Sequence, residues 1–292
     1  MISPQDYIHP EDEAARRNME AIPGFAAAVK AFLKIGAEQY LHGINMASKI
    51  RLSEKQLPEL YLKLPPICKK LGVAEPEFYL EMNPMPNAYT YGDTRIFLTV
   101  TSGLVEYLTE EEVNAVLAHE CGHIACHHVL YHTMANLIKA GADVFGLLGM
   151  FTTPIQLGLL YWSRRSELSA DRAAAAVMGS PQPVIETMIR LSGGPKSITD
   201  KVDINEYAAQ ADAYDALQES KWDKVLQAAA IAYQSHPFAS VRVREILKWC
   251  NTEHYKRMME NIRIQSSGTK CAHCHNAIDP SWSFCKFCGT KF

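Results

Sequence analysis

His119-Glu120-Cys121-Gly122-His123 lies within a run of helical apolar spacing that includes Val113, Val116, Leu117 and Ile124. On a helix, successive residues turn by about 100° and rise about 1.5 Å, so His119 and His123 stand one turn apart and roughly 40° from each other. Two imidazoles so placed can reach one metal ion at about 2.0–2.1 Å. Glu120 falls about 100° round from His119, close enough to act as a base on water at such a site and too far round to be the third ligand. The apolar neighbours turn this arc towards the interior, where two histidines and a carboxylate are costly to bury without a partner, and a zinc ion would supply one. Cys121 lies about 150° from the middle of the ligand arc and is expected to be a small packing residue. Gly122 costs about 1 kcal/mol relative to alanine in a helix interior, so a close-packed neighbour is expected there. The alternative is a solvated helix face with accidental spacing, and a third ligand downstream decides between the two.

His127, His128 and His132 follow the motif. His127 shares the face of His119 and His123, but in a continuous helix it stands about 12 Å along the axis from His119, beyond the reach of one zinc. In sites of the His-Glu-x-x-His-x-x-Gly-x-x-His type a glycine breaks the helix to return a third histidine; here Cys126 occupies the glycine position and Val129 the histidine position. A better third ligand is Glu167, with Asp171 four residues on along an alanine-rich helix (Ala170, Ala173 to Ala176). Glu167 would complete a two-histidine, one-glutamate site with an open fourth position. Asp171 would take the free N–H of a ligand histidine.

Upstream, Thr109-Glu110-Glu111-Glu112 predicts a capping box, with the helix running through the motif to about Ala140. Ser102–Leu108 predicts a shorter helix. Phe78-Tyr79-Leu80 reads as a strand, and Asn87-Ala88-Tyr89-Thr90-Tyr91 pairs with Thr94–Val100 across Gly92-Asp93 as a hairpin. An extended peptide could add to an edge of that sheet by backbone hydrogen bonds, or the sheet could simply pack on the helix. Nearer the N-terminus, helices are expected over Ala26–Gln39 and over Ser53–Leu71, the latter interrupted at Pro58 and at Pro65-Pro66 and stopped at Gly72.

Downstream, Val144–Trp162 is 19 residues without a charge, long enough to suggest a membrane span. A single crossing would put His119 and Glu167 on opposite sides of a bilayer, so a buried or membrane-dipping helical hairpin is expected, with a peripheral membrane contact as its outward role. Lys201–Gln234 reads as amphipathic helix for core packing, and a further helix is expected from about Ala239 to Met259. After the linker Ser266-Ser267-Gly268-Thr269, the pairs Cys271/Cys274 and Cys285/Cys288 are separated by ten residues and read as a structural four-cysteine zinc site in a ribbon. His273 and His275 are substitute ligands there. So small a unit cannot form an adequate core without metal.

The whole chain has 292 residues, 8 cysteines and a net charge of −3. No basic stripe argues for nucleic acid. The polar, acidic start lacks a signal-peptide pattern, and thiols used as metal ligands suit a reducing cytoplasm.

The chain resembles the HtpX-like and CaaX-prenyl-protease-like zinc metallopeptidases, a gluzincin family. The resemblance rests on Asn87-Ala88 ahead of a strand, Thr109–His123, Glu167 with Asp171, and His236-Pro237 with Arg242, and it covers roughly residues 70–250. It implies His119, His123 and Glu167 as ligands and Glu120 as general base. It also implies that Asn87 and Ala88 lie by the substrate strand and that His236 and Arg242 approach the site late in the chain. Physically, His236 could donate to the oxyanion of a tetrahedral intermediate, and Arg242 could clamp either Asp171 or a substrate carboxylate. Members with several membrane spans exist, and this chain resembles a soluble relative.

The fold expected is α+β: a mostly helical zincin-type metallopeptidase with a small β-sheet and a C-terminal zinc ribbon. The divisions are 1–52 (N-terminal helical segment), 53–262 (metallopeptidase domain) and 263–292 (linker and ribbon). The function expected is zinc-dependent endopeptidase action on peptides or unfolded proteins, with one catalytic and one structural zinc. The alternative is a non-catalytic zinc adaptor binding a protein partner through the ribbon.

Overall fold

Residues 1–34, 37–139, 151–216 and 239–292 are described by the computed structural model. The N-terminal part holds α1 (Pro4–Tyr7), α2 (Pro10–Glu20), α3 (Phe25–Lys34) and α4 (Ala37–Ser48), followed by a short strand β1 (Ile50–Arg51) that the sequence pattern does not announce. Next come α5 (Pro58–Tyr61) and α6 (Leu64–Leu71), then β2 (Glu77–Glu81), β3 (Ala88–Gly92) and β4 (Ile96–Thr101). The site-bearing helices are α7 (Ser102–Tyr107), α8 (Glu110–Ala125), α9 (Val129–Lys139) and the long α10 (Thr153–Met178). Beyond them lie α11 (Gln182–Gly193), α12 (Lys196–Thr199), α13 (Ile204–Ala216), α14 (Ala239–Cys250) and α15 (Glu253–Ser266). The chain is therefore mostly helical with one small sheet.

The sheet runs β1-β2-β4-β3. β2 and β4 are parallel, with Phe78 opposite Leu98, while β3 and β4 form the expected antiparallel hairpin, with Thr90 opposite Leu98. Gly92 closes that hairpin at φ +123°, where a Cβ would meet the Arg95 carbonyl oxygen at 2.0 Å. β3 is thus an edge strand of the sheet, and it lies against α8 and α9.

α8 begins as its sequence dictates. Thr109 accepts from the Glu112 amide at 3.3 Å, and the Glu112 carboxylate accepts from the Thr109 amide at 2.8 Å. The two donors are left without intrahelical partners at any helix start, and the box satisfies both. Glu112 also pairs with Arg190 of α11, both side chains being buried. α8 and α10 form the most extensive helix pair, enclosed by α6, α11 and α14 in the main core. Gly122 explains how close they come: a Cβ there would stand 2.8 Å from the Ala173 Cβ and 3.2 Å from the Ala170 Cα. A second apolar cluster joins Met19, Phe25 and Phe32 to Met134, Ile155, Leu159 and Trp162, binding the N-terminal helices to α9 and the start of α10.

Several helix boundaries differ from the sequence expectation. The motif helix does not continue to Ala140. It ends at Ala125, and α9 restarts at Val129 after His127, which takes φ +58°. The helix expected from Ala239 to Met259 is two helices, because Thr252 accepts from the Tyr255 amide and caps α15. The described residues of the expected Ala26–Gln39 helix are helical, within α3 and α4, with 35–36 outside the described residues, while Ser53 to Leu57 precedes α5 rather than forming part of it. Gly72, by contrast, stops α6 at φ +70° as expected.

Of the uncharged stretch Val144–Trp162, residues 144–150 lie outside the described residues. From Thr153 onward it forms the start of α10, with Ile155, Leu159 and Trp162 buried and Leu157 and Tyr161 exposed. No described helix is long and apolar enough to cross a membrane. His236-Pro237 and residues 217–234 of the Lys201–Gln234 stretch also lie outside the described residues.

Candidate active site

α8 and α10 bring three buried side chains to one point. The Nε2 atoms of His119 and His123 stand 3.2 Å apart. Glu167 places Oε2 3.4 Å from His119 Nε2 and Oε1 3.4 Å from His123 Nε2. A tetrahedral ion with ligands at about 2.0–2.1 Å separates those ligands by about 3.3–3.4 Å, so this triangle has the dimensions of one face of a zinc site. Formal charge agrees. Among the described residues, Glu120, Glu167 and Asp171 are buried together, with Arg242 paired to Asp171 and Glu167, and so acidic a cluster suits a divalent cation.

Each member of the cluster is held from behind. His119 Nδ1–H donates to Asp171 Oδ1 at 2.9 Å. Arg242 donates through Nε to Asp171 Oδ2 at 2.8 Å and through Nη2 to Oδ1 at 2.6 Å, and its Nη1 lies 3.2 Å from Glu167 Oε2. Of the two roles open to Arg242, the clamp on Asp171 is the contact formed. Burial would push Arg242 and His119 towards neutrality. For Arg242, attraction to Asp171 outweighs burial and raises its pKa. For His119 the hydrogen bonds to Asp171 and Glu167 outweigh burial and push the pKa up to about 10. Burial similarly opposes ionisation of Asp171, but Arg242 holds that carboxyl below its ordinary range. The surroundings of His119 therefore demand a cation, and a metal ion meets that demand as well as a proton does.

Glu120 lies beside the triangle, and its Oε2 accepts from Thr90 Oγ of β3 at 3.0 Å. It faces a cleft of about 750 Å³ whose walls include Asn87, Ala88, Val116, Met188, Asp171 and Arg242. On the His123 side a smaller hollow of about 180 Å³ is lined by Ala88, Thr90, Glu120, His132 and Glu167, among others. The edge strand β3 thus borders open space on both sides of the ligand cluster.

The structure unites His119, Glu120, His123, Glu167, Asp171 and Arg242, and sets Asn87 and Ala88 at the cleft wall. Sequence reading missed Thr90, which positions Glu120, and two buried residues behind His123, namely His128 and Asp12. His128 carried a signal only as one of three histidines after the motif. Asp12 carried none, being one of several acids at the start of a surface-like segment.

Residues 54–250 match Peptidase family M48. The chain belongs to peptidase family M48. Among M48-like relatives it is 33% identical over 272 residues to the plastoglobule-localized metallopeptidase 48, chloroplastic, of Arabidopsis thaliana, covering 92% of this chain and 79% of that protein. It is 26% identical over 210 residues to protease HtpX of Legionella pneumophila (strain Corby), covering 62% of this chain and 72% of that one. A protease HtpX homolog of Methanothermobacter thermautotrophicus is 26% identical over 164 residues, covering 48% and 61%. M48 membership makes the chain a metallopeptidase-type protein, and it agrees with a buried metal triangle beside a carboxylate.

A second cluster closes the chain. Cys271, Cys274, Cys285 and Cys288 converge, with Sγ atoms 3.7 Å apart for Cys271 and Cys288 and 3.6 Å for Cys274 and Cys285. Zinc–sulfur bonds of about 2.3 Å imply ligand separations of about 3.8 Å in a tetrahedron, so four thiolates fit one zinc. Neither His273 nor His275 belongs to this group.

Proposed function

We propose that this M48 protein is a zinc-dependent endopeptidase whose catalytic zinc is held by His119, His123 and Glu167, with Glu120 as general base. The observation that carries the reading is the ligand triangle, of tetrahedral dimensions, with a buried carboxylate beside it and an edge strand running past it. A zinc ion so bound would supply Lewis acidity towards a peptide carbonyl and lower the pKa of a coordinated water. The chain's own residues do the rest. An extended substrate lies along β3 by backbone hydrogen bonds, between the larger cleft and the smaller hollow. Thr90 holds the Glu120 carboxylate towards that groove. Glu120 takes a proton from the attacking water and delivers it to the leaving amine. Asp171, itself locked by Arg242, holds the His119 ring with Nε2 turned towards Glu167.

Unfolded chains are the substrates that best suit a groove requiring extended backbone. A second, structural zinc in the ribbon is supported by its four convergent thiols. Exposed Phe284, Phe287 and Phe292 support a protein-contact role for that unit. Exposed Leu157 and Tyr161 support a peripheral membrane contact at the start of α10. Four thiols gathered as metal ligands support a reducing compartment such as the cytoplasm.

The test compares hydrolysis of unfolded casein by wild type and Glu120→Gln, with zinc content measured for both. Losing the general base should lower the rate by about 10²–10⁴-fold, with zinc content unchanged. Equal rates would overturn the mechanism. A wild type that binds zinc and never turns over substrate would favour the adaptor reading.

A further inference from the structure

The two ligand histidines are braced differently. His119 rests directly on Asp171. Behind His123, Nδ1 lies 3.0 Å from Nδ1 of a second imidazole, His128. The end of α8 creates that contact. His128 N–H donates to the His123 carbonyl at 2.9 Å and His127 N–H to the Ile124 carbonyl at 3.1 Å, while His127 adopts φ +58°. These are the two bonds and the left-handed residue of a Schellman motif, which folds the residue after the left-handed one back onto the last turn. The pair usually brought together is apolar, but here it is two imidazoles.

Ligation fixes the protons along this chain. If His123 binds metal through Nε2, its Nδ1 carries hydrogen and donates to His128 Nδ1. His128 must then be the acceptor at Nδ1 and carry its own hydrogen on Nε2. That nitrogen is buried and makes no well-aligned hydrogen bond, but it stands 3.0 Å from Asp12 Oδ2 in a bent contact. Asp12 is fully buried and otherwise bound only as an acceptor. Trp162 Nε1–H donates to Oδ1 at 2.9 Å and Ser169 Oγ–H to Oδ2 at 2.5 Å. Ser169 in turn accepts the His9 amide at 2.9 Å, which ties the start of α2 to α10. Both of these donors, the Trp162 indole and the Ser169 hydroxyl, suit a carboxylate at Asp12.

We propose that Asp12 is a positioning residue for the catalytic zinc, acting through His128 to fix the tautomer and orientation of His123. The inference rests on His123 being a zinc ligand. Asp12 lies outside residues 54–250, so a segment beyond the family match completes the metal site. Outer partners of this kind raise the basicity of a ligand histidine and hold its ring plane. His123, His128 and His132 are also close enough to hold a metal ion of their own. That arrangement would require His123 to bind one ion through each nitrogen, whereas the 3.0 Å contact between its Nδ1 and His128 has the length of a hydrogen bond. His132 Nε2 meanwhile contacts Ser166 Oγ at 2.7 Å.

The test measures zinc affinity at the peptidase site of the full chain by competition with a chromophoric chelator, using the ribbon zinc as internal reference. Asp12→Asn and His128→Leu should each weaken that zinc by about 10–100-fold, the range for lost outer partners. The double variant should be no weaker than His128→Leu, because both act on one path. His128→Gln should recover much of the loss, since its amide can accept from His123 and donate towards Asp12. Unchanged affinity in folded Asp12→Asn would overturn the relay, as would additive losses in the double variant or a third zinc lost on His132→Gln. If Asp12→Asn does not fold, Trp162→Phe decides. It removes an indole donor from Asp12, a several-fold loss of zinc affinity is expected, and no loss overturns the relay. A wild type holding only the ribbon zinc would instead overturn the ligand assignment itself.

Discussion

The four ribbon cysteines come from residues 271–288, whereas His119, His123 and Glu167 are gathered across residues 119–167 and braced by Asp12, Asp171 and Arg242. The ribbon buries little besides Cys271, Cys285, Ile278 and Asp279, while Cys288, Phe284, Phe287 and Phe292 are exposed. So few apolar contacts cannot by themselves offset the entropy of fixing the chain, and the proposed ribbon zinc would supply the rest. The peptidase triangle stands beside the main core, where α8 and α10 pack at alanine and glycine distances. On the proposed ligand sets, the ribbon site would be made by its metal, while the triangle belongs to a fold that would then receive one.

Substitutions can break this comparison, and the largest effect is expected at Glu167. Glu167→Ala removes a ligand outright, so peptidase-site zinc should weaken beyond the about 10–100-fold typical of an outer partner, while far-UV helix signal and ribbon zinc persist. Retention of two tightly held zinc ions per chain would refute the ligand set. Cys285→Ser should show the opposite pattern. The ribbon zinc is lost, residues beyond the linker become protease-sensitive, and hydrolysis of a short peptide is unchanged; a parallel loss of peptidase-site zinc would show that the two sites are not independent. The smallest effect concerns His127, held at φ +58° where side chains are strained. His127→Gly should stabilise the folded chain by roughly 0.5–1 kcal/mol, the relief of a left-handed non-glycine residue less the entropy glycine adds to the unfolded chain. Thermal unfolding checks the sign, and a lowered midpoint would mean that the His127 side chain makes a contact worth more than its strain.

Legibility followed range along the chain. The ligand spacing on α8, the Glu112 capping box, the β3–β4 hairpin and the two cysteine pairs were readable because each is a relation between residues a few positions apart. Glu167 and Asp171 were reachable because a two-histidine motif requires a third ligand and a partner. The end of α8 at Ala125 was not readable. Its signal is usually glycine in the left-handed position, and here that position is His127, which gives no warning. Helix periodicity therefore ran on past the break and left His128 pointing nowhere in particular. Asp12 was invisible for a different reason, since an acid in the first turn of a helix is expected to face solvent and stabilise the dipole.

The sequence by itself set out the candidate metal ligands: two imidazoles at one-turn spacing, a Glu167–Asp171 pair at the same spacing, four thiols in two pairs, and alanines with Gly122 that allow two helices to meet closely. Those properties reside in side-chain type and local periodicity. Only the tertiary structure decided which of Arg242's two roles was realised, that β3 forms the groove edge with Thr90 on Glu120, and that an N-terminal aspartate stands behind His123. These depend on which buried charges end up within hydrogen-bond reach of one another, and that is set by how the helices pack, not by any spacing along the chain.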